Sequence, residues 1–468
     1  MIERILKHPH RRAGERDNLR LAVGRARSPG RAGGRRAAGG AHIRAVALAL
    51  AAAGVLAGCG LSHSGPSTPR PSGPSERWVA GSVGITDSRG TFWQPDVSVA
   101  RGGQVATAGS GAAGTGNPAL YRKARVDGSG YELPVVKPGT YAVVLHLLAP
   151  RDAGVGQNMF DVTVGGQTVV SALDVAARVG AGHALAVLVP VTVTGEVVDL
   201  GFRPRRGEVS VSAVSVTLDS AATIRGTFTD DFAGPAGATV DSRWTFETGG
   251  GGWGNNELGV YTSSNKNVAL DGAGNLVITA RREDIRDADG KTGHYTSGRL
   301  TTKNSLDLQY GHVETRLVLP TGGGLLPAFW AVGSNVDSVG WPVSGEIDIL
   351  ELPAPNGSIY ASVHGPAQGD AAYARVAGIH RLPAATVAGF HTYSMDWYPG
   401  ILQFSVDGTV YGSVSVDDMP PGQTWAFDHP FYLIFNLAVG GNWPGSPPAG
   451  TRFPQKMVID YVQVTGHN

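Results

Sequence analysis

The chain has 468 residues, among them 68 Gly and 29 Pro, and only 16% of its residues are charged. This length corresponds to about two or three domains, and so low a charged fraction argues against coiled coils, helical bundles and charge-driven disorder. The composition therefore predicts turn-rich β structure.

Charge is distributed unevenly along the chain. Residues 1–44 contain twelve basic and three acidic residues, residues 45–59 contain none, and the remainder contains 27 basic and 35 acidic residues. A working protein with this net negative charge is a poor candidate for binding the phosphate backbone of nucleic acids, so no nucleic-acid partner is expected.

Residues 1–59 have the pattern of an export signal. The apolar residues 45–58 follow the basic segment and end at Cys59, the only cysteine of the chain. This stretch is shorter than the roughly 20 residues of a membrane-spanning helix and fits a signal-peptide core. The ending Leu56–Cys59 resembles a bacterial lipobox, with Cys59 as lipid anchor; an ordinary secretory signal is the alternative. We expect an exported monomer, either a cell-surface lipoprotein or a secreted protein.

Residues 60–76 are rich in Ser, Pro and Gly and predict a flexible tether. Residues 77–219 alternate short apolar runs with Gly and Pro. Strands are indicated at Tyr141–Leu148 and Met159–Val164, and Gly165-Gly166 predicts a hairpin turn. Together these features predict a β-sandwich.

This N-terminal module resembles the malectin-like carbohydrate-binding domains. The resemblance rests on the segments Leu120-Tyr121, Tyr131–Val135, Gly139–His146, Phe160–Gly165 and Ala213–Val216. Most of the matching positions define turns and core, so a spacer sandwich without a ligand is the alternative to a glucan-binding module.

Residues 220–468 form the second predicted module. Strand-like runs such as Gly311–Leu319 and Phe431–Leu437 recur, and helical periodicity is nearly absent. A segment of this length made of short strands predicts two large curved sheets in a jelly roll. The expected fold class is therefore all-β, with a C-terminal jelly roll behind an N-terminal β-sandwich.

The most informative segment has the sequence EIDILE and runs from Glu346 to Glu351. Side chains alternate between the two faces of a strand, so Glu346 and Asp348 share one face and the isoleucines share the other. By this count Glu351 falls on the wrong face. A β-bulge near Ile349 and Leu350 would return it to the acidic face.

Three acids on one face of a strand suit acid–base chemistry. Retaining glycosidases need two carboxyl groups about 5 to 5.5 Å apart, one acting as nucleophile and the other as a proton donor with a raised pKa. Two Glu side chains can converge over the shorter Asp348, and mutual repulsion would keep one acid protonated near neutral pH. A solvated strand face and a set of calcium ligands are the alternatives, and the spacing alone does not order the two Glu residues.

The segment Glu346–Glu351 is similar to the E-x-D-x-x-E motif of glycoside hydrolase family 16, in the bulged form of its laminarinase-type members. Other matching segments follow in the same order across the C-terminal module: Trp253–Glu257, Tyr295–Arg299, Tyr310–Glu314, Pro327–Trp330, Trp341-Pro342, His364-Gly365, Asn436–Gly441 and Asp460–Val462. The resemblance implies a jelly roll with a long substrate cleft on its concave sheet and endo-acting, retaining cleavage of β-glycans.

The resemblance also implies catalytic roles. Glu346 is the implied nucleophile, Glu351 the implied acid/base and Asp348 the assisting carboxylate. His364 resembles a histidine found beside the acid/base, where its N–H could orient a carboxylate. A strand histidine with ordinary hydrogen bonds is the alternative.

Substrate-binding residues are implied as well. Polar residues that resemble those bonding sugar hydroxyls are Asn256, Glu257 and Arg299. Aromatic residues that resemble those lining the sugar subsites are Trp330, Trp341 and Trp443. A Trp face suits the C–H face of a pyranose. Core packing is the alternative for each Trp and the expectation for Trp244 and Trp397, and a surface charge is the alternative for Arg299.

One position departs from the family pattern. The family often has Trp where this chain has Leu326, which affects either core packing or one sugar subsite.

Many family members hold one calcium on the convex face, and Asp231, Gly274 and Asp460 stand where its ligands would fall. Oxygen ligands of this kind suit a structural calcium, whereas the chemistry itself requires no cofactor.

The sequence therefore predicts an endo-acting, retaining hydrolase of a β-1,3-glucan of the laminarin type. Another β-glycan, such as a mixed-linkage glucan or a galactan, and transfer to sugar instead of water are alternatives within the same chemistry. A noncatalytic glucan-binding protein is the alternative from another class, and it would be expected to lack a catalytic Glu.

Overall fold

The computed structural model describes residues 75–108, 111–219, 228–286, 290, 292–355, 357–369, 371–382 and 388–466. The predicted export segment with Cys59 and residues 60–74 of the predicted tether lie outside the described residues. Within the described part of the chain, no helix is both long enough and apolar enough to cross a membrane.

The described N-terminal module consists of strands and one short helix, α1 (Val175–Val179). Its strands are β1 (Ser75–Val79), β2 (Ile85–Thr86), β3 (Phe92–Pro95), β4 (Ala100–Thr107), β5 (Lys123–Pro134), β6 (Gly139–Leu148), β7 (Met159–Val164), β8 (Gln167–Leu173), β9 (Ala184–Val193), β10 (Val197–Arg206), β11 (Ser210–Val211) and β12 (Ala213–Leu218). Because β1 begins at Ser75, the last two residues assigned to the tether belong to the first sheet.

Two sheets of the N-terminal module enclose its core. One has the order β2-β3-β1-β12-β6-β9, and the other has the order β11-β5-β10-β7-β8 with β4 paired to β5. Apolar side chains from both sheets, among them Leu145 of β6 and Leu200 of β10, pack in one cluster. The predicted strands and the hairpin turn at Gly165-Gly166 are confirmed, since Val164 pairs with Gln167.

The described C-terminal module contains the short helix α2 (Val336–Val339) and seventeen strands. The strands are β13 (Phe228–Asp230), β14 (Thr245–Phe246), β15 (Gly259–Tyr261), β16 (Val268–Leu270), β17 (Leu276–Arg286), β18 (Thr292–Ser297), β19 (Arg299–Thr301), β20 (Gly311–Val318), β21 (Leu325–Gly333), β22 (Glu346–Glu351), β23 (Ser358–Ala367), β24 (Ala371–Arg381), β25 (His391–Tyr398), β26 (Ile401–Val406), β27 (Thr409–Ser415), β28 (Phe431–Val439) and β29 (Gln455–Thr465).

The strands of the C-terminal module form two sheets that are joined at one edge. The first runs β14-β19-β28-β21-β22-β23-β24, and the second runs β27-β26-β25-β20-β29-β17. The two sheets meet where Gly378 of β24 pairs with Gly412 of β27. A Cβ atom on either glycine would lie 2.6 Å from the Cα atom of the other, so only glycine permits this crossing.

A large apolar cluster fills the space between the two sheets of the C-terminal module. Trp244 and Trp397 belong to it, with 4% and 1% of their surface exposed, which confirms their predicted core positions. Because one face of the first sheet contacts this core, the residues that alternate with core residues on β21, β22 and β23 lie on its opposite face. The all-β fold class is confirmed.

Candidate active site

The acidic strand β22 contains the predicted bulge. Phe329 of β21 pairs with Leu350, whereas the next residue of β21, Trp330, pairs with Asp348, so Ile349 is the extra residue. Ile349 and Leu350 are both buried in the core. The additional residue shifts the alternation by one position, and Glu351 therefore shares a face with Asp348.

Pairing across the sheet places the acids in rows with residues of neighbouring strands. Directly opposed residues share a face of a sheet. Asp348 is opposite Trp330 on one side and Ser362 on the other, and Glu346 is opposite His364. The sequence predicted His364 as a site residue but not Ser362, which lies two residues before it on β23 and therefore on the same face.

Short contacts connect these side chains. The Nε2 atom of His364 lies 3.1 Å from Oδ2 of Asp348 and 3.7 Å from Oε1 of Glu346. The hydroxyl of Ser362 lies 2.7 Å from Oδ2 of Asp348 and 3.3 Å from Oε2 of Glu351. Asp348 is therefore the shared centre of the group, as the prediction of an assisting carboxylate requires.

His364 contacts the acids that lie nearest to it on this face. Its ion-pair contacts are with Asp348 and Glu346, and its charge also opposes the rise in the pKa of Glu351. The hydroxyl of Ser362 is the group that contacts Glu351. The register accounts for these contacts, because β23 places His364 opposite Glu346 at the far end of the acidic strand.

Burial and crowding control the ionisation of the group. Burial and the charge of Asp348 raise the pKa of Glu346 to about 7, while His364 and the indole N–H of Trp341, 2.9 Å from Oε2, oppose the rise. Burial and Asp348 also raise the pKa of Glu351 well above its usual value. Burial alone would lower the pKa of His364, but Glu346 and Asp348 outweigh it and raise that pKa to about 10.

These contacts distinguish the two Glu residues. Glu346 faces an indole donor and lies close to the imidazolium of His364, and both favour its charged form. Glu351 receives only the longer contact from Ser362 among the side-chain hydrogen bonds that the described residues show. The geometry therefore favours the proton on Glu351 and the charge on Glu346.

Trp330 and Arg299 lie on the same face of the sheet as the three acids. The guanidinium of Arg299 lies between two indole rings, 4.8 Å from the centroid of Trp330 and 4.7 Å from that of Trp253. It also forms an ion pair with Glu247. Only 12% of the Arg299 side chain is exposed, so it is not the surface charge that was the alternative. Its visible role is to fix the ring of Trp330.

A hydrogen-bond chain connects Trp330 to Glu257. The indole N–H of Trp330 donates to Asn436 over 2.7 Å, the Asn436 amide donates to the hydroxyl of Tyr261 over 3.2 Å, and that hydroxyl donates to Glu257 over 2.6 Å. Burial raises the pKa of Glu257 to about 7. The predicted residue Glu257 therefore belongs to the polar wall of this face.

The remaining predicted substrate residues lie close by. Trp443 packs edge-on against Tyr360, whose strand position is opposite Glu351, with ring centroids 4.8 Å apart. Asn256 is exposed and donates to the side chain of Asn442 over 2.8 Å. Asn256 and Glu257 also line a cavity of about 420 Å³ beside the glycine-rich residues 250–252.

Known proteins are similar in sequence to the C-terminal module. The family model described as Glycosyl hydrolases family 16 matches residues 256–463. The beta-glucanase of Rhodothermus marinus is 35% identical over 237 residues, which cover 49% of this chain and 81% of that protein. The glucan endo-1,3-beta-glucosidase of Cryptopygus antarcticus is 38% identical over 218 residues, 45% of this chain and 80% of that protein.

The chain belongs to glycoside hydrolase family 16.

A further relative matches over a smaller part of its length. The clotting factor G alpha subunit of Tachypleus tridentatus is 39% identical over 230 residues, and the chain spans only 32% of that protein's length. The model described as Malectin domain matches residues 79–225, which confirms the resemblance of the N-terminal module. The family 16 match includes the three acids and His364.

The departure from the family pattern at Leu326 lies on the acidic face. Leu325 and Phe329 of β21 belong to the core cluster. Leu326 and Trp330 occupy the alternate positions of the same strand and therefore lie on the opposite face. Leu326 is nevertheless buried, since only 6% of its surface is exposed. Leu326 therefore contributes to the acidic face of the first sheet and not to the core between the sheets.

The predicted calcium ligands are partly adjacent. A Cβ atom on Gly274 would lie 3.9 Å from the carbonyl oxygen of Asp231. The carboxylate of Asp460 forms an ion pair with Arg316. Within the described residues, the one group of at least three acidic or His ligand atoms close enough for a metal is Glu346, Asp348 and His364, which is the active site. The calcium site stays a prediction.

Proposed function

We propose that the protein hydrolyses internal β-1,3 linkages of a laminarin-type glucan and retains the configuration at the anomeric carbon. The observation that carries this proposal is the bulge at Ile349, which returns Glu351 to the face of Asp348. The names of two relatives, a beta-glucanase and a glucan endo-1,3-beta-glucosidase, support the substrate class.

In the first step Glu346 attacks the anomeric carbon. The bond from this carbon to the glycosidic oxygen breaks, and Glu351 transfers its proton to the departing oxygen. The contacts described above favour this assignment, because Trp341 and His364 stabilise the charge of Glu346. The product is a sugar joined to Glu346 by an ester bond.

In the second step Glu351, now ionised, removes a proton from water. The water oxygen attacks the anomeric carbon, the ester bond breaks and Glu346 leaves as a carboxylate. Two displacements at one carbon restore the original configuration. Asp348 positions both catalytic groups indirectly, since it bonds Ser362 and His364, each of which also contacts a Glu.

Product analysis on a substrate panel tests the proposed function. We expect release of oligosaccharides from laminarin, slower release from the mixed-linkage glucan lichenan, and no release from agarose or carrageenan. Cleavage of agarose or carrageenan in preference to laminarin would contradict the proposed β-1,3-glucan substrate and favour a galactan. Binding of laminarin without release of reducing sugar would favour the noncatalytic alternative.

We also propose that the protein is exported and anchored through lipid on Cys59. The apolar residues 45–58 and the lipobox-like ending Leu56–Cys59 support this proposal. Cells that express the full chain should incorporate labelled palmitate, and the variant Cys59→Ser should not. Absence of label from the wild-type chain would leave secretion as the alternative.

A further inference from the structure

Two strands of the N-terminal module, β6 and β9, are covered on both faces. On β6, Tyr141, Val143 and Leu145 enter the module's own core. The alternating residues Ala142 and Val144, with Ala186 and Leu188 from β9, form a second apolar cluster with Tyr398 and Ile401 of the C-terminal module. A strand buried on both faces has a continuous apolar sequence, which is what β6 shows.

A turn of the C-terminal module enters a pocket of the N-terminal module beside this apolar contact. The turn is the 3₁₀ segment Val416–Asp418, directly after β27. The pocket is lined by Trp93, Tyr121 and His146, each with at most 1% of its surface exposed. We call it the inter-module pocket.

The two carboxylates of the turn are surrounded by donors from the N-terminal module. Asp418 accepts from the hydroxyls of Tyr121 and Thr115, each over 2.7 Å. The two ring nitrogens of His146 lie 3.6 Å from Asp417 and 3.6 Å from Asp418. The buried histidine is therefore held between two acids of the other module.

Asp417 has further partners from two strands of the N-terminal module. Arg77 of β1 forms an ion pair with it at 2.9 Å, and the hydroxyl of Ser215 on β12 donates to it over 3.0 Å. The side-chain amide of Asn117 donates to its backbone carbonyl over 2.9 Å. All of these contacts cross the boundary between the two modules.

The backbones also approach closely at the pocket. The N–H of Gly116 donates to the carbonyl of Asp418 over 2.8 Å. A Cβ atom on Gly116 would lie 2.2 Å from the backbone nitrogen of Pro420, so no larger residue fits there. Arg375 of β24 adds hydrogen bonds of 2.9 Å to the carbonyls of Asp418 and Gly114.

We propose that the inter-module pocket is a permanent docking site for the Val416–Asp418 turn, so that the two modules form one cooperative unit and not a catalytic domain with a hinged sugar-binding arm. None of the residues at this interface belongs to the catalytic group, so docking does not depend on the proposed function. Burial of charged groups without matching partners is costly, and here each carboxylate finds its partners only in the docked state.

Docking has a consequence for sugar binding by the N-terminal module. Aromatic rings beside hydrogen-bonding groups are typical of carbohydrate sites. In the inter-module pocket these groups already contact Asp417 and Asp418, and a sugar could enter only after the turn had left. Any glucan binding by the intact protein must therefore use another surface of the module.

Calorimetry of the full chain tests the proposal. The wild-type protein should show a single unfolding transition that includes both modules. The variant Asp418→Asn keeps the size of the side chain but removes the charge facing His146, and it should lower the midpoint by about 5 °C or more. The control Asp407→Asn removes the charge of a half-exposed carboxylate that pairs with His391, while Asn can still accept from the backbone N–H of Thr392, and it should shift the midpoint by about 1 °C at most.

A double-mutant cycle separates docking from a local effect of one substitution. Tyr121→Phe removes the hydroxyl that donates to Asp418 and lies 3.3 Å from Nδ1 of His146, and it should lower the midpoint by about 2 °C. The combined variant with Asp418→Asn should lose less than the sum of the two single shifts, because both substitutions weaken the same group of contacts between Tyr121, His146 and Asp418. Two separate transitions in the wild type, or fully additive shifts, would overturn the proposal.

Discussion

Within the described residues, the active site and the inter-module pocket each contain buried carboxylates around one histidine, and the two groups differ in function. In the active site, His364 contacts Asp348 and Glu346 at 3.1 and 3.7 Å. In the inter-module pocket, His146 contacts Asp417 and Asp418, both at 3.6 Å. The residue types are nearly the same, so the difference must come from the surroundings.

The carboxylates of the inter-module pocket each have several donors or cationic partners. Burial would raise the pKa of Asp417, but the hydrogen bond and charge of His146 and the charge of Arg77 outweigh burial and lower it well below its usual range. The pKa of Asp418 is lowered against burial by His146 in the same way. Both residues are held in the charged form, as a structural contact requires.

The two Glu carboxylates of the active site have few donors, whereas Asp348 accepts from Ser362 and contacts His364. Burial and Asp348 raise the pKa of both Glu346 and Glu351, and the single indole or hydroxyl that each receives does not compensate. A protonated acid next to an ionised one is what general acid catalysis needs. Stability and reactivity are thus separated by the number of partners around otherwise similar side chains.

The largest effect is expected from removing a carboxylate in each group. Glu351→Gln should lower the rate of laminarin hydrolysis by about 10³-fold or more, because the acid/base is lost. Its midpoint of unfolding should stay equal or rise near neutral pH. The raised pKa means that, at pH values above the usual pKa of Glu, burial of the Glu351 carboxyl destabilises the folded protein. The neutral Gln removes this destabilisation. Activity assays and calorimetry on the same preparation measure both effects.

The interface variant Asp418→Asn should behave in the opposite way, with a lower midpoint and a rate reduced far less than that of Glu351→Gln. A Glu351→Gln protein that melts well below the wild type would show that Glu351 stabilises the fold. This result would contradict the proposed difference between the active-site carboxylates and those of the inter-module pocket.

An intermediate effect is expected from His364→Gln. The imidazolium lowers the pKa of Glu346, so its removal should raise that pKa further above about 7. Since Glu346 must be ionised to attack, the acidic limb of the pH profile should move to higher pH by about one unit, with a roughly tenfold loss of kcat at neutral pH.

The control for this prediction is His312→Gln. His312 also contacts two acids, Asp396 and Glu314, but it lies on β20 in the other sheet. Its loss should leave the acidic limb unchanged. A His364→Gln profile that keeps the wild-type limb, or moves it to lower pH, would refute the proposed influence of His364 on Glu346.

The smallest effect is expected from Trp330→Phe. The ring face is retained, but the hydrogen bond to Asn436 is lost, so the ring becomes less well fixed beside Arg299. We expect KM for laminarin to rise about fivefold with little change in kcat. Trp425→Phe removes an indole hydrogen bond to Asp428 in another part of the module and should leave KM unchanged.

Local patterns in the sequence predicted the features that depend on alternation. The bulge at Ile349 followed from the alternation of side chains along the acidic strand, by which Glu351 would otherwise lie on the opposite face from Asp348. The buried positions of Trp244 and Trp397 were also predicted correctly. The start of β1 at Ser75 was missed, because a Ser- and Pro-rich segment carries no strand signal up to that point.

Contacts between distant segments could not be predicted in the same way. Ser362 was missed because a serine on a strand has no distinctive spacing, and its function appears only when β23 pairs with β22. The inter-module pocket joins His146 to Asp417 and Asp418, which lie in different modules. The continuous apolar run of β6 was a signal for a second covered face, but it did not identify the partner.

Azide rescue of two catalytic variants tests directly whether Glu346 attacks and Glu351 transfers the proton. An aryl β-laminaribioside with a good leaving group can react without acid assistance, and azide can replace a missing carboxylate. In Glu346→Ala, azide takes the place of the nucleophile, and we expect an α-glycosyl azide. In Glu351→Ala, azide attacks the sugar held on Glu346, and we expect a β-glycosyl azide. The reverse pair of products, or no rescue in either variant, would contradict the assignment.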